Sequence, residues 1–238
     1  SLPPRDGDPR SAGDGGMGAD GLIAVRARVD AACARAGRDP GEVTVVAVSK
    51  TASDDAVLEA YATGHRDFGE NRASALADRR RRLPDDIRWH FVGRLQGNKV
   101  RRVRPVTHLL HSLDRSDLVG YWVKGPGRPP PVLVQVNVAG EDQKAGVAPG
   151  AVADLVAEAV AAGLDVRGLM TMAPLVDDPE DVRPVFRRLA ALRDRLGEGY
   201  ADLAHLSMGM TDDFEVAVEE GATILRVGRA IFGESPGG

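Results

Sequence analysis

The sequence predicts a single closed barrel of eight parallel strands with helices outside, a (β/α)8 or TIM barrel. Three observations predict it. Eight short apolar runs recur along the chain, helix-patterned stretches separate most of them, and 238 residues is a length that such a barrel fills as one domain. A composition of 43% hydrophobic and 28% charged residues is that of an ordinary globular protein. A doubly wound open sheet is the runner-up. Its first strand normally runs into a GxGxxG turn, and Ser49-Lys50-Thr51 holds no glycine.

Residues 1–21 (SLPPRDGDPRSAGDGGMGADG) offer almost nothing to bury, so they read as a disordered lead. A start at Ser suggests a processed or expression-derived end, with Met17 a candidate native start. Leu22 to Gly37 has apolar residues at helical spacing and stops at a glycine. Val43 to Ser49 (VTVVAVS) is the pattern of a strand buried on both faces. A helix follows from Asp54 or Asp55 to Thr63, with acidic residues in its first turn. Further strands are expected near Asp67–Phe68, Arg88–Val92, Thr107–Leu110, Pro131–Val138, Val166–Met170, Ala204–Leu206 and Thr223–Val227. Helices are expected over Ala73–Arg82, Gly150–Ala162, Pro179–Leu196 and Thr211–Glu220. The connection from His111 to the fifth strand looks short and Gly/Pro-rich, so its helix is expected to be reduced.

Several functional classes are disfavoured. A net charge of −4 gives no global field for nucleic acid or anionic lipid. One cysteine, Cys33, allows no intramolecular disulfide and no iron–sulfur or cysteine-rich zinc site. No apolar run reaches the about 20 residues of a membrane span, and no apolar signal segment precedes Val25, so a cytoplasmic protein is expected. Arg79 to Arg82 reads as a solvated helix end that complements the helix dipole, and Gly125 to Pro131 as a stiff linker. Five scattered histidines lack zinc-ligand spacing, and there is no GxSxG elbow.

The chemistry concentrates at predicted strand ends, where barrels build their sites. Lys50, one of only four lysines against 27 arginines, follows the most apolar strand. Partial burial there would favour a neutral amine able to attack an aldehyde. Ser207-Met208-Gly209-Met210-Thr211 follows the seventh strand, with Thr211 placed to cap the next helix. Arg226-Val227-Gly228-Arg229 ends the eighth. Loops seven and eight commonly hold a phosphate, and a phosphate opposite an aldehyde-seeking lysine points to pyridoxal 5′-phosphate (PLP). Asn71 reads as a helix cap or a hydrogen-bonding partner of a ligand ring. His90, between Trp89 and Phe91, reads as a core histidine, and Met170 and Met172 as packing inside the barrel.

In combination, these segments resemble one family. VAVSKT around Lys50, GEN at Gly69–Asn71, WHFVGRLQGNK at Trp89–Lys99, HSLD at His111–Asp114, VLVQVNV at Val132–Val138, GLMTMAP at Gly168–Pro174, LSMGMTDDF at Leu206–Phe214 and GATILRVGRAIFG at Gly221–Gly233 are similar, in order, to the YggS/PROSC family of pyridoxal phosphate homeostasis proteins. The resemblance covers Leu22 to Gly233. It implies a barrel like the N-terminal domain of alanine racemase, of the PLP fold type III kind but without a C-terminal β domain. Lys50 would be the aldimine lysine and Asn71 would contact the ring side of the cofactor. Ser207, Gly209 and Gly228 would hold its phosphate, and Arg226 would face the pyridine nitrogen. Arg229 stands where family members usually have Thr or Ser, so it either replaces a phosphate hydroxyl contact or points outward.

The resemblance implies a carrier or buffer of PLP that serves recipient apoenzymes. The alternative is an amino-acid racemase of the alanine racemase type. In that family a tyrosine from a second domain supplies the other acid/base. Here the sequence ends at Gly238, just past the eighth strand, and Tyr61, Tyr121 and Tyr200 lie on no predicted strand end. A monomer is expected. Lys144, after the fifth strand, is either a solvated loop residue or a second amine that takes the aldehyde during transfer.

Overall fold

The computed structural model describes residues 17–141 and 145–233. Eight strands close into an all-parallel barrel in sequence order: β1 (Thr44–Val48), β2 (Asp67–Glu70), β3 (Arg88–Phe91), β4 (Leu109–Leu113), β5 (Val132–Gln135), β6 (Val166–Met170), β7 (His205–Ser207) and β8 (Ile224–Val227). Pairing of Thr44 with Ile224 and of Val46 with Arg226 joins β8 to β1 and closes the cylinder. Closure leaves no open edge, so every strand finds backbone partners on both sides.

The helices are α1 (Met17–Ala36), α2 (Asp54–Ala62), α3 (Ala73–Arg82), α4 (Val100–Val103), α5 (Ser116–Val123), α6 (Val152–Ala161), α7 (Arg183–Gly197), α8 (Phe214–Glu219) and α9 (Arg229–Phe232). The last is a single turn. α1 packs against α2, α8 and α9, so a helix that precedes β1 occupies the ring position an eighth crossover helix would take. It begins at Met17, five residues earlier than the pattern suggests. Residues 17–21, expected in the disordered lead, pack closely: a Cβ on Gly18 would lie 2.1 Å from the Ala56 carbonyl oxygen, and one on Gly21 equally close to that of Ile231. Residues 1–16 lie outside the described part.

α5 is short, as its connection suggests: SDLVGYWV forms eight residues of helix, with Leu118, Val119 and Trp122 buried on one side of it. The linker after it is pinned by buried Arg104, which donates to the carbonyls of Trp122, Pro126 and Gly127. Strand β4 runs to Leu113 rather than stopping at Leu110. His111 looks like a strand end only if the barrel interior is taken to be apolar, and it is not.

The core has two parts. Val45 and Ala47 of β1 face outward into the main cluster between barrel and helices. Val46 faces inward with Leu109, Leu133, Met170 and Ile224, packed by Val48. This apolar group fills one part of the barrel's interior. Asp67, His90, His111, Ser207 and Arg226 fill another and are linked by hydrogen bonds. Barrel interiors are usually packed with branched apolar side chains, so a polar sector is where function is to be sought. Met172, expected inside, is 44% exposed.

Candidate functional site

Lys50 lies two residues beyond the end of β1, exposed in the first turn of the β1–α2 loop at the barrel mouth. The expected partial burial is therefore not found: β1 ends at Val48, and Lys50 lies beyond it in an exposed turn.

What holds this loop is Arg79, the first of the four arginines expected to be solvated. It is 7% exposed. Its Nε binds Glu70 Oε1 at 2.8 Å, and its Nη2 donates to the carbonyls of Ser49 and Ala52, which flank Lys50 and Thr51. Burial pushes the Glu70 carboxyl up, against the hydrogen bond from Ser49 and the charge of Arg79. Removing one member of a buried pair strands the other, at about 3–5 kcal/mol. Arg79→Met should lose that much stability in denaturant unfolding. A loss below about 0.5 kcal/mol would return Arg79 to the class of solvated helix-end cations.

Beside the β1 loop, on the same mouth, the loops after β7 and β8 interlock. Gly209, at φ +97°, has its carbonyl against the Arg226 amide at 3.0 Å, and a Cβ there would lie 2.6 Å from that of Ala217. Only glycine combines this left-handed conformation with so close an approach. Gly228 caps α9, and a Cβ on it would sit 3.2 Å from the Val48 carbonyl, which sets the β8 loop beside the end of β1. Thr211 does not cap the following helix. Its Oγ1 accepts from the Ala230 amide at 3.3 Å and ties the two loops together. α8 begins later, at Phe214, and buried Asp213 braces the loop by accepting from the Met210 amide.

Arg226 is the main electrostatic feature. It is 5% exposed, and its guanidinium donates to Ser207 Oγ at 2.7 Å and to the Thr171 carbonyl at 2.8 Å, both neutral acceptors. Burial pushes it down to about 10, which Asp213 opposes, so it remains charged at neutral pH. A buried guanidinium without a paired carboxylate is costly unless an anion or lone pair completes it.

The remaining predicted residues divide. Asn71 does not cap α3, whose N-cap is Arg72 without a side-chain bond. Its Oδ1 is buried and has no hydrogen-bond partner. Beside it opens a groove of about 590 Å³ with Arg72, Arg94, Lys99, Arg102 and Arg115 along its walls. Ser207 is fully buried, and its hydroxyl is committed to Arg226 and His111 rather than displayed at the mouth. Arg229 points outward, half exposed, with its guanidinium on Asp212. A carboxylate within reach thus takes the cation that sequence offered to a phosphate. Lys144 lies outside the described residues. Sequence reasoning gave no role to Asp213 or His111 and read Arg79 as a solvated helix-end cation; an inward histidine two positions past apolar Leu109 was the available signal for His111.

An aldehyde-bearing phosphate ester fits this set. Lys50 supplies the amine, Arg226 an unneutralised cation, Asn71 an unpartnered acceptor, and Gly209 and Gly228 backbone where side chains would obstruct.

The profile of the family described as "Alanine racemase, N-terminal domain" matches residues 22–236. The chain is 43% identical to the pyridoxal phosphate homeostasis protein of Aquifex aeolicus, over 90% of this chain and 96% of that one. It is also similar to PipY of Synechococcus elongatus PCC7942, solved with PLP bound: 31% identity, TM-score 0.79, and coverage of 90% of this chain and 99% of that one. Alanine racemase from Corynebacterium glutamicum shares the fold at TM-score 0.65 and 15% identity, covering 91% of this chain and 62% of that one.

Proposed function

Because this chain belongs to the alanine racemase N-terminal domain family, and within it to the pyridoxal phosphate homeostasis proteins, we propose that it binds PLP at the barrel mouth and acts in PLP homeostasis. The observation that carries this is Arg226, a buried cation with only neutral partners, below a mouth where Lys50 stands exposed.

When bound, the cofactor supplies an aldehyde that condenses with a primary amine and releases water. Lys50 Nζ is the amine, on a loop held in place by Arg79. Asn71 Oδ1 would face the ring side. Gly209 and Gly228 would hold the phosphate through their backbones, between loops fixed by Asp213 and Thr211. Arg226 keeps its proton at neutral pH, so it would donate to the ring nitrogen without protonating it, and the ring would draw electrons weakly. Arg229 takes no part, its charge being met by Asp212.

These features suit holding a cofactor better than turning one over. Tyr61 lies on α2, Tyr121 on α5 and Tyr200 after α7, so none of the three ends a barrel strand. An exposed anchoring amine also shields poorly from water, which suits uptake and release. The protein is, on this proposal, a cytoplasmic monomer that supplies recipient apoenzymes.

Titration with PLP tests the proposal. One cofactor per chain should bind, with absorption at the edge of the visible. Failure to bind PLP, or binding with no such band, would refute it. Inversion of alanine or serine by loaded protein, lost in Lys50→Ala, would favour a racemase instead.

A further inference from the structure

We infer that His111 and His90 are positioning residues for the cofactor site, holding Arg226 through Ser207 by a one-way chain of hydrogen bonds across the barrel interior. This rests on Arg226 being a cofactor contact, as proposed above.

The chain runs through five strands. Arg226 Nη1 lies 2.7 Å from Ser207 Oγ, Ser207 Oγ 2.8 Å from His111 Nδ1, His111 Nε2 2.9 Å from His90 Nδ1, and His90 Nε2 3.1 Å from Asp67 Oδ1. Asp67 is held in turn by both Nε and Nη2 of Arg88. The His111–Ser207 contact joins β4 to β7 across the barrel rather than between neighbouring strands.

Its direction follows from donor chemistry. A guanidinium only donates, so Ser207 Oγ accepts from Arg226 and its one proton is available to His111 Nδ1. His111 then carries its proton on Nε2 and donates to His90 Nδ1. His90 in turn carries its proton on Nε2 and donates to Asp67. The far end imposes the same direction independently, because an ionised carboxylate only accepts. Burial works to raise the Asp67 carboxyl, yet the bonds from Arg88 and His90 hold it below the ordinary carboxylate range. Burial also pushes His111 well below its usual range, so the ring facing Ser207 stays neutral. With each ring carrying a single proton, the two ends agree on one tautomer at each histidine.

The consequence lies at Arg226. Its neighbour on Ser207 is a neutral imidazole rather than a carboxylate, so the guanidinium is oriented without being neutralised. No carboxylate is bonded to it, so a guanidinium donor is left for the cofactor. A carboxylate at position 111 would anchor the arginine equally well but cancel its charge.

Nitrogen-15 NMR of the ligand-free protein reads the tautomers directly. Both His90 and His111 are expected as Nε2–H imidazoles; an Nδ1–H form at either overturns the chain. PLP affinity then reads its purpose. His111→Phe removes both hydrogen bonds and should weaken binding about tenfold. His111→Gln, whose amide can accept from Ser207 and donate to His90, should stay within about threefold. Wild-type affinity in His111→Phe overturns the positioning role. Should that variant fail to fold, His111→Gln carries the test: weakening beyond tenfold in a folded, Nε2–H-intact protein contradicts the chain. A wild type that shows both tautomers yet takes up no PLP rejects the cofactor proposal itself, so the two failures are distinguishable.

Discussion

Replacing Arg226 by methionine is expected to weaken PLP binding about a hundredfold while leaving the folded state about as stable as before. The two effects separate because Arg226 is buried among neutral partners, Ser207 and the Thr171 carbonyl. Folding alone gains little from such a cation: its desolvation costs several kcal/mol. The two hydrogen bonds it makes are worth about 1–3 kcal/mol each when their acceptors would otherwise be stranded. Those contributions nearly cancel, and methionine fills similar volume without charge. Binding is different, because the cofactor brings a ring lone pair to a guanidinium that has no carboxylate bonded to it. Loss of a buried, charge-assisted contact costs about 2–5 kcal/mol, and about 3 kcal/mol is a hundredfold in affinity. Absorbance titration and urea unfolding of the same variant read both quantities. Unchanged affinity, or a stability loss as large as a core truncation, would make Arg226 a structural residue.

Lys50→Ala is expected to abolish the visible absorption of the loaded protein while leaving it folded. Lys50 is exposed and lies in a loop held by Arg79, so its removal should change stability by less than about 0.5 kcal/mol. Arg226 and the loops after β7 and β8 remain, so the variant should still bind PLP, only without the covalent link. Equilibrium dialysis beside the spectrum separates these: bound cofactor with no band is the expected pair. A band of wild-type strength at full occupancy would place the covalent link on another amine.

Much of this was legible in the chain. Eight apolar runs with intervening helices specify the barrel because an all-parallel sheet buries both faces of every strand. The placement of Lys50, Gly209, Arg226 and Gly228 at one end of the barrel could be read because strand ends and the glycines after them are local features. The rest depends on partners distant in sequence. Arg79 looks like any cation ending a helix until Glu70 and the Ser49 carbonyl meet it. Arg229 is drawn off by Asp212, and the Ser207 hydroxyl by Arg226 and a histidine 96 positions away. The strand through His111 was cut short for the same reason: alternation alone does not reveal that one sector of a barrel interior is polar.

The central claim is that the amine that bonds the cofactor is Lys50. Borohydride reduction of the PLP-loaded protein, followed by proteolysis and mass spectrometry, fixes the bonded nitrogen, and only four lysines compete for it. A single pyridoxyl group on Lys50 is the predicted result. The same group on Lys99, Lys124 or Lys144 with Lys50 unmodified, or no stable adduct on any lysine, would contradict it.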